Sequence, residues 1–292
     1  MTRGKSMEMS LQQQIGAVAE TLGRPDGSVY RSLSYAEQRR LAAQSGIDHH
    51  AVQIAALQLD IVPEVYARNQ TSLSCREQIE LLRGRVAIVG LGGLGGAVCE
   101  MLGRIGIGRL TLIDGDRFAD SNLNRQLLSS TESLGQLKAE VAARRLGQVN
   151  PAVICRPVPE FLTGDNGTDL LDGATVAVDC LDSIPARLLL QKVCKPLGIV
   201  LVSAAIGGTS GQATVVFPGD EGLSRIYRGN ESTAAGAEGR LGTLPFTAMA
   251  MAAVQCAEVV AVVLERPAAL RNRLLVTDLD DHSTMLIDLH GR

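Results

Sequence analysis

Tryptophan is absent from this chain of 292 residues, and aromatic residues together make up only 3% of it. Its core is therefore aliphatic, because apolar residues still account for 46%. Histidine is scarce: four copies lie near residues 49–50 and 282–290. None of the six cysteines (Cys75, Cys99, Cys155, Cys180, Cys194 and Cys256) belongs to a C-x-x-C pair. With no Cys/His cluster, structural zinc has no support and none is expected. With no paired spacing there is no disulfide framework, and most of the cysteines sit in apolar stretches as small buried hydrophobes do. Runs of Lys or Arg are missing too, and the net charge is −3. That balance argues against non-specific nucleic-acid binding, so no DNA partner is expected. The polar N-terminus lacks the charged-then-apolar order of a secretory signal. Together with the cysteine usage, this leads us to expect a cytoplasmic protein. Leu244 to Leu264 is apolar enough to be weighed as a membrane span. Gln255 and Glu258 interrupt it, and it reads better as a helix buried between a sheet and a dimer partner.

The length suits one large domain with an appendage. Residues 1–65 read as a small N-terminal helical region, with Leu11 to Leu22 and Tyr35 to Ser45 of helical composition. Arg24-Pro25-Asp26-Gly27 is a turn signal between them, and Ser34 with Glu37 fits a capping box. Ala42 to Ile47, ahead of an aliphatic helix, has the outline of a helix-turn-helix. Residues 1–60 hold six Lys/Arg against six Asp/Glu, however. A DNA-reading helix needs a basic surface, so a packing role is favoured.

Residues 66–292 read differently. From Arg83 onward, strands alternate with helices. Val86–Val89, Leu110–Ile113, Val153–Val158, Val176–Val178 and Val200–Ser203 read as strands. Between and after them, Ala97–Ile105, Lys138–Gln148 and Arg187–Lys195 read as helices. Such alternation predicts an α/β fold with a doubly wound, mostly parallel Rossmann-like sheet. Thr214–Phe217, Leu274–Leu279 and Met285–Leu289 read as later strands, the last two joined by a hairpin turn at Asp280–Ser283. Pro218 to Leu244 is glycine-rich and loop-like, and a stretch of that length is usually functional or mobile.

Gly90-Leu91-Gly92-Gly93-Leu94-Gly95 follows a strand and opens a helix. Glycines there let backbone approach a phosphate, and the helix N-terminus supplies N–H donors. Asp114 ends the next strand, 19 residues after Gly95, where an acid can accept hydrogen bonds from ribose hydroxyls. Taken alone, this pattern favours a nicotinamide dehydrogenase. The residues downstream of Asp114 do not. Hydride transfer has no need of two fixed cations and a carboxylate near the phosphates, whereas cleavage of ATP between its α- and β-phosphates does. Arg125 and Lys138 can neutralise triphosphate oxygens, and Asp182 can hold Mg²⁺. Singly, Arg125 and Lys138 read equally as solvated helix charges, and Asp182 as a helix N-cap before Pro185.

As a set, the motifs resemble the ThiF/MoeB/HesA family, bacterial relatives of ubiquitin-activating enzymes. Gly90–Gly95 matches the family's G-x-G-G-x-G, and Asp114-Gly115-Asp116 its strand-end acidic pair. Ser121–Gln126 matches S-N-L-x-R-Q, and Asp179-Cys180-Leu181-Asp182 matches D-C-x-D. Lys138 matches the downstream lysine. Tyr66-Ala67-Arg68-Asn69-Gln70 resembles Y-x-R-Q with Asn69 intervening. The resemblance implies ATP contacts at Gly90, Gly92, Gly93, Gly95, Asp114, Asp116, Asn122 and Gln126. It implies catalytic roles for Arg68, Arg125, Lys138 and Asp182, with Mg²⁺ on Asp182 and Arg68 acting on the partner subunit's ATP. The implied activity is adenylation of the C-terminal carboxylate of a ubiquitin-like sulfur carrier ending in Gly-Gly, by a homodimer. A carboxylate on modified tRNA or a peptide is the alternative substrate. Many members carry two zinc-binding C-x-x-C pairs, and this chain has neither. Cys180 and Cys194 read as packing residues, not nucleophiles.

Overall fold

The computed structural model describes residues 9–228 and 238–289, which divide into two compact units, 1–83 and 84–292. The first unit begins with α1 (Leu11–Val18), then β1 (Glu20–Gly23) and β2 (Val29–Leu33), followed by α2 (Tyr35–Ser45) and α3 (His49–Leu57). It ends with β3 (Ile61–Pro63), a 3-10 turn at Glu64–Tyr66 and α4 (Cys75–Arg83). Helices dominate as expected, but the Arg24–Gly27 turn joins two antiparallel strands, not two helices. β3 adds in parallel to make a three-stranded sheet. These strands are too short for their period to stand out beside the helical runs. α3 buries Val52, Ala56 and Leu57. Ser34 caps α2 by accepting from the Glu37 N–H at 3.3 Å. The expected reciprocal bond is not formed, because the Glu37 carboxylate pairs with Arg40 at 2.6 Å. A complete box caps α1 instead, between Ser10 and Gln13.

The unit ends later than the composition break near residue 65. Tyr66, Ile79 and Leu82 share a core with Leu57 and Val62, so burial holds residues 66–83 with what precedes them.

The second unit runs β4 (Arg85–Val89), α5 (Gly93–Ile105), β5 (Arg109–Ile113), α6 (Lys138–Val149), β6 (Ile154–Val158), α7 (Gly167–Leu170) and β7 (Val176–Asp179). Next come α8 (Ile184–Cys194), β8 (Val200–Gly207), β9 (Ser210–Val216), α9 (Leu223–Ile226), α10 (Glu238–Leu241), α11 (Pro245–Val263), β10 (Arg273–Asp278) and β11 (Ser283–Asp288). The eight strands lie in the order β11-β10-β9-β8-β7-β4-β5-β6. β8 through β6 are mutually parallel, and β9, β10 and β11 add antiparallel. The chain winds outward from β4 to β6, then returns to the other side of β4 to lay down β7. That reversal puts a topological switch point between β4 and β7, where open α/β sheets leave a crevice outside the strands' carboxyl ends.

The strands are apolar on both faces because helices cover both. Ala87, Val89, Ile113 and Leu201 pack with Leu170, Leu190 and Cys194 from α7 and α8. α5 and α6 contact each other and the strands β4 to β6, while α11 lies on α5, β7, β8 and β9. α11 has the length and hydropathy of a membrane span, yet it buries a polar residue productively. Gln255 is fully buried and donates to the Asp179 carbonyl at 2.8 Å and the Val202 carbonyl at 3.2 Å. Such pairing to a sheet is how a core helix carries a glutamine. Of the glycine-rich stretch Pro218–Leu244, residues 229–237 lie outside the described residues, while α9 and α10 flank them.

Candidate active site

The carboxyl ends of β4, β5 and β7 open into a cleft of about 210 Å³. The glycine turn forms its floor. Gly90 has φ +90°, and a Cβ there would stand 2.6 Å from the Cys180 carbonyl oxygen. Only glycine serves both demands. A Cβ on Gly95 would fall 1.8 Å from the Gly90 oxygen. Gly95 therefore lets α5 pack onto the turn and does not itself line the cleft, whereas Gly90, Gly92 and Gly93 do. α5 begins without a side-chain cap, which leaves its first N–H groups available to an anion.

Asp114 sits where the sequence places it, buried at the end of β5, and it also holds the turn in place. Its carboxylate accepts from the Leu91 N–H at 2.6 Å and the Asp116 N–H at 2.8 Å. Each oxygen retains a lone pair for a further donor. Asp116 is 56% exposed and accepts from Lys138 Nζ at 3.1 Å; the lysine side chain is only 7% exposed. Lys138 opens α6, where the helix dipole disfavours a cation, so its ammonium depends on Asp116 and on whatever anion enters the cleft.

Arg125 is half-buried along the wall, its Nη1 donating to the Ser121 carbonyl at 2.7 Å. Gln126 is buried beside it, and its Oε1 has no partner among the described residues. A buried unsatisfied acceptor in a cleft wall fits a site shaped for a ligand donor. Asn122, the other expected nucleotide contact in this segment, is already engaged within its own turn. It is not among the cleft-lining residues, and its Oδ1 accepts from the Ala119 N–H at 3.0 Å, capping the 3-10 turn at Asp120–Asn122.

The two carboxylates of Asp179–Asp182 have opposite fates. Asp179 is fully buried and accepts from Arg187 Nη1 at 3.1 Å, Ser203 Oγ at 2.5 Å and the Leu181 N–H at 3.0 Å. The Arg187 guanidinium also donates to the carbonyls of Leu181 and Ala204, which pins the segment leading to Asp182. Asp182 is exposed at the cleft rim. It does not cap α8, since Ser183 occupies the cap position and Pro185 the first turn. Its carboxylate has no ion-pair partner among the described residues, and an unpaired hard oxygen donor suits Mg²⁺. That ion commonly takes one or two carboxylates and completes its shell with water and phosphate oxygens.

Sequence reasoning missed Glu160, Phe161, Leu162, Ile206 and Thr243, which complete the lining. It also missed Arg187, which from α8 binds Asp179 and the carbonyl of Leu181, the residue before Asp182. Phe161 is 62% exposed, and its ring covers the space where a Gly115 Cβ would be. An aromatic just beyond β6 was the one available signal. Arg68 belongs to the first unit and is exposed in the turn after Tyr66. The thiol in the cleft lining is that of Cys180. Burial, reinforced by the Asp179 carboxylate, pushes the Cys180 thiol well above its ordinary value. Burial likewise pushes Cys194, with Asp179 adding to it, and Cys256 up to about 12. The groups left to act are an anion cradle, two cations and a free carboxylate. That set can hold a nucleoside triphosphate and take up charge developing on its phosphates.

The ThiF family pattern matches residues 66–289 of the chain. Over 210 residues it is 35% identical to the SAMP-activating enzyme E1 of Haloferax volcanii, covering 70% of this chain and 76% of that protein. Over 161 residues it is 38% identical to the molybdopterin-synthase adenylyltransferase of Salmonella typhimurium, covering 53% of this chain and 65% of that protein, just short of two thirds. Among solved structures, Escherichia coli MccB with AMPCPP and MccA superposes with a TM-score of 0.66 at 22% identity. That superposition covers 78% of this chain and 72% of the other, and it carries the fold.

Proposed function

This chain belongs to the ThiF family, and from that premise we propose that it is an adenylyltransferase activating the C-terminal carboxylate of a ubiquitin-like sulfur carrier with ATP. The observation that carries the reading is the convergence of Arg125, Lys138 and Asp182 on one cleft above the Gly90–Gly95 turn. Named relatives act in this way on sulfur carriers. In the reaction, an oxygen of the carrier's terminal carboxylate attacks the α-phosphorus of ATP. The bond from that phosphorus to the bridging oxygen breaks, pyrophosphate leaves, and an acyl-adenylate remains.

No protein nucleophile is needed, so positioning and electrostatics supply the rate. Asp114 takes the ribose hydroxyls, and the N–H groups at Gly92 and Gly93 face the phosphates. Lys138 exchanges its bond to Asp116 for phosphate oxygens as the nucleotide enters. Arg125 meets the charge that grows on the departing pyrophosphate. Asp182 would hold Mg²⁺, which would supply positive charge near the phosphates. The enzyme works as a homodimer in the cytoplasm, with Arg68 reaching the partner's nucleotide. Phe246 and Met249, exposed at 51% and 41% on α11, supply an apolar face for such an assembly. No zinc is required.

ATP–pyrophosphate exchange tests the reading. It should appear with a Gly-Gly carrier and not with tRNA; exchange driven by tRNA alone would move the substrate to the alternative class. Mixing inactive Arg68→Ala and Asp182→Ala proteins should restore activity through heterodimers, and a monomeric active enzyme would remove the shared site. Elemental analysis should find no zinc. Stoichiometric zinc would direct attention to His282 or to His290, which lies outside the described residues.

A further inference from the structure

The opposite end of the same sheet holds a second depression of about 210 Å³, around the first residues of β4, β5 and β6. Arg85 and Arg109 are direct partners across the β4–β5 ladder. Arg156 on β6 stands opposite Thr111, two residues beyond Arg109. Side chains alternate along a strand, and paired residues point the same way. All three guanidiniums therefore leave one face of the sheet. All three are exposed and line the depression, where Asp172 is the one carboxylate in the lining. The structure pairs none of the three with a carboxylate among the described residues. A chain of net charge −3 thus gathers an excess of positive charge in one hollow, with two like charges directly opposite each other. That arrangement is unfavourable until an anion enters.

We propose that this depression is an oxyanion-binding site for a phosphate-type anion: free diphosphate, or the phosphate of a nucleotide monoester. Guanidinium forks match tetrahedral phosphate oxygens bidentately, and the Thr111 hydroxyl adds a neutral donor. The site is separate from the cleft. β4 alone carries the chain about 13 Å, at roughly 3.3 Å per residue, from Arg85 to Val89 where the cleft begins. The inference does not depend on the adenylation reading.

Titration calorimetry of the full chain decides it, with inorganic diphosphate and AMP as separate ligands. The proteins compared are wild type, the triple variant Arg85→Gln/Arg109→Gln/Arg156→Gln, and Lys138→Gln as a cleft control. The expected result is a diphosphate binding event that Lys138→Gln retains and the triple variant weakens at least about tenfold. It should also weaken as salt rises. If AMP shows the same event and loses it in the triple variant, the occupant is a nucleotide phosphate; if only diphosphate does, it is the free anion. Wild-type affinity and stoichiometry in the triple variant would overturn the site. So would a single binding event that Lys138→Gln abolishes. Melting curves guard against misfolding: diphosphate should raise the melting temperature of Lys138→Gln, and raise it far less in a folded variant that combines Lys138→Gln with the three arginine substitutions.

Discussion

At the carboxyl ends of β5 and β7 the buried carboxylates of Asp114 and Asp179 are each held by several partners, whereas at the amino ends of β4, β5 and β6 three arginines stand on the same sheet with no carboxylate partner among the described residues. Asp114 accepts two backbone N–H groups, and Asp179 is buried with Arg187 and Ser203 around it. Arg85, Arg109 and Arg156 extend into solvent. The difference shows two ways of placing charge on one scaffold. A crevice that must fix reacting groups supports them from neighbouring strands and helices. The exposed ends of neighbouring strands need only the register of the ladder to bring charges together, and leave the ligand to satisfy them.

The sharpest break of this contrast is Arg187→Ala. It strands the buried Asp179 charge and frees the Leu181 carbonyl, and should cost about 3–5 kcal/mol of unfolding free energy. Denaturant titration reads this directly; a loss below about 1 kcal/mol would mean the crevice is less tied than it looks. Asp182→Asn should do the reverse. It should slow pyrophosphate exchange by roughly a hundred- to a thousandfold, or about 3–4 kcal/mol, while the melting curve stays close to wild type. Wild-type exchange would remove Asp182 from the chemistry.

Cys180 lies between these cases, in the cleft lining with its thiol buried. Its folded pKa is raised by burial, so the native thiol should resist alkylation at pH 8, and Cys180→Ser should keep most of the exchange activity. Below the ordinary thiol value of about 8.5, both folded and unfolded states hold the proton and the group is neutral for stability. Above it, the unfolded state ionises first, so stability should fall as pH rises further, and less steeply in Cys180→Ser. A fast-labelling Cys180, or an inactive but folded serine variant, would contradict this. The smallest effect belongs to the amino ends of the strands. Arg85→Gln should change unfolding free energy by no more than about 0.5 kcal/mol, with relief of repulsion from Arg109 favouring a slight gain.

Much of the second unit was legible because its signals are local. Val86–Val89 is apolar without alternation, as a strand covered on both faces must be, and the glycine turn with Asp114 follows within one βαβ unit. Asp182 could be preferred over Asp179 because Asp179 directly follows the apolar strand, and the structure buries it. Less was legible in the first unit, where β1 and β2 are four and five residues long and mostly exposed, so no period marked them. The turn-capping role of Asn122 was not legible for another reason: a motif records which residues recur, not which of them also hold their own turn together.

The order of strands and helices, the glycine turn and its acid, and the absence of paired cysteines were determined by the sequence alone, since each depends on neighbours a few residues away. Tertiary structure decided which charges meet. Strand order and register set Arg85 against Arg109 and bring Arg156 beside them, and the return of the chain across β4 places Asp182 over the Gly90 turn. Those partners are separated by 24, 47 and 92 residues respectively. No local pattern encodes contacts at such range, because they exist only once the sheet has closed and burial has paired Asp179 with Arg187.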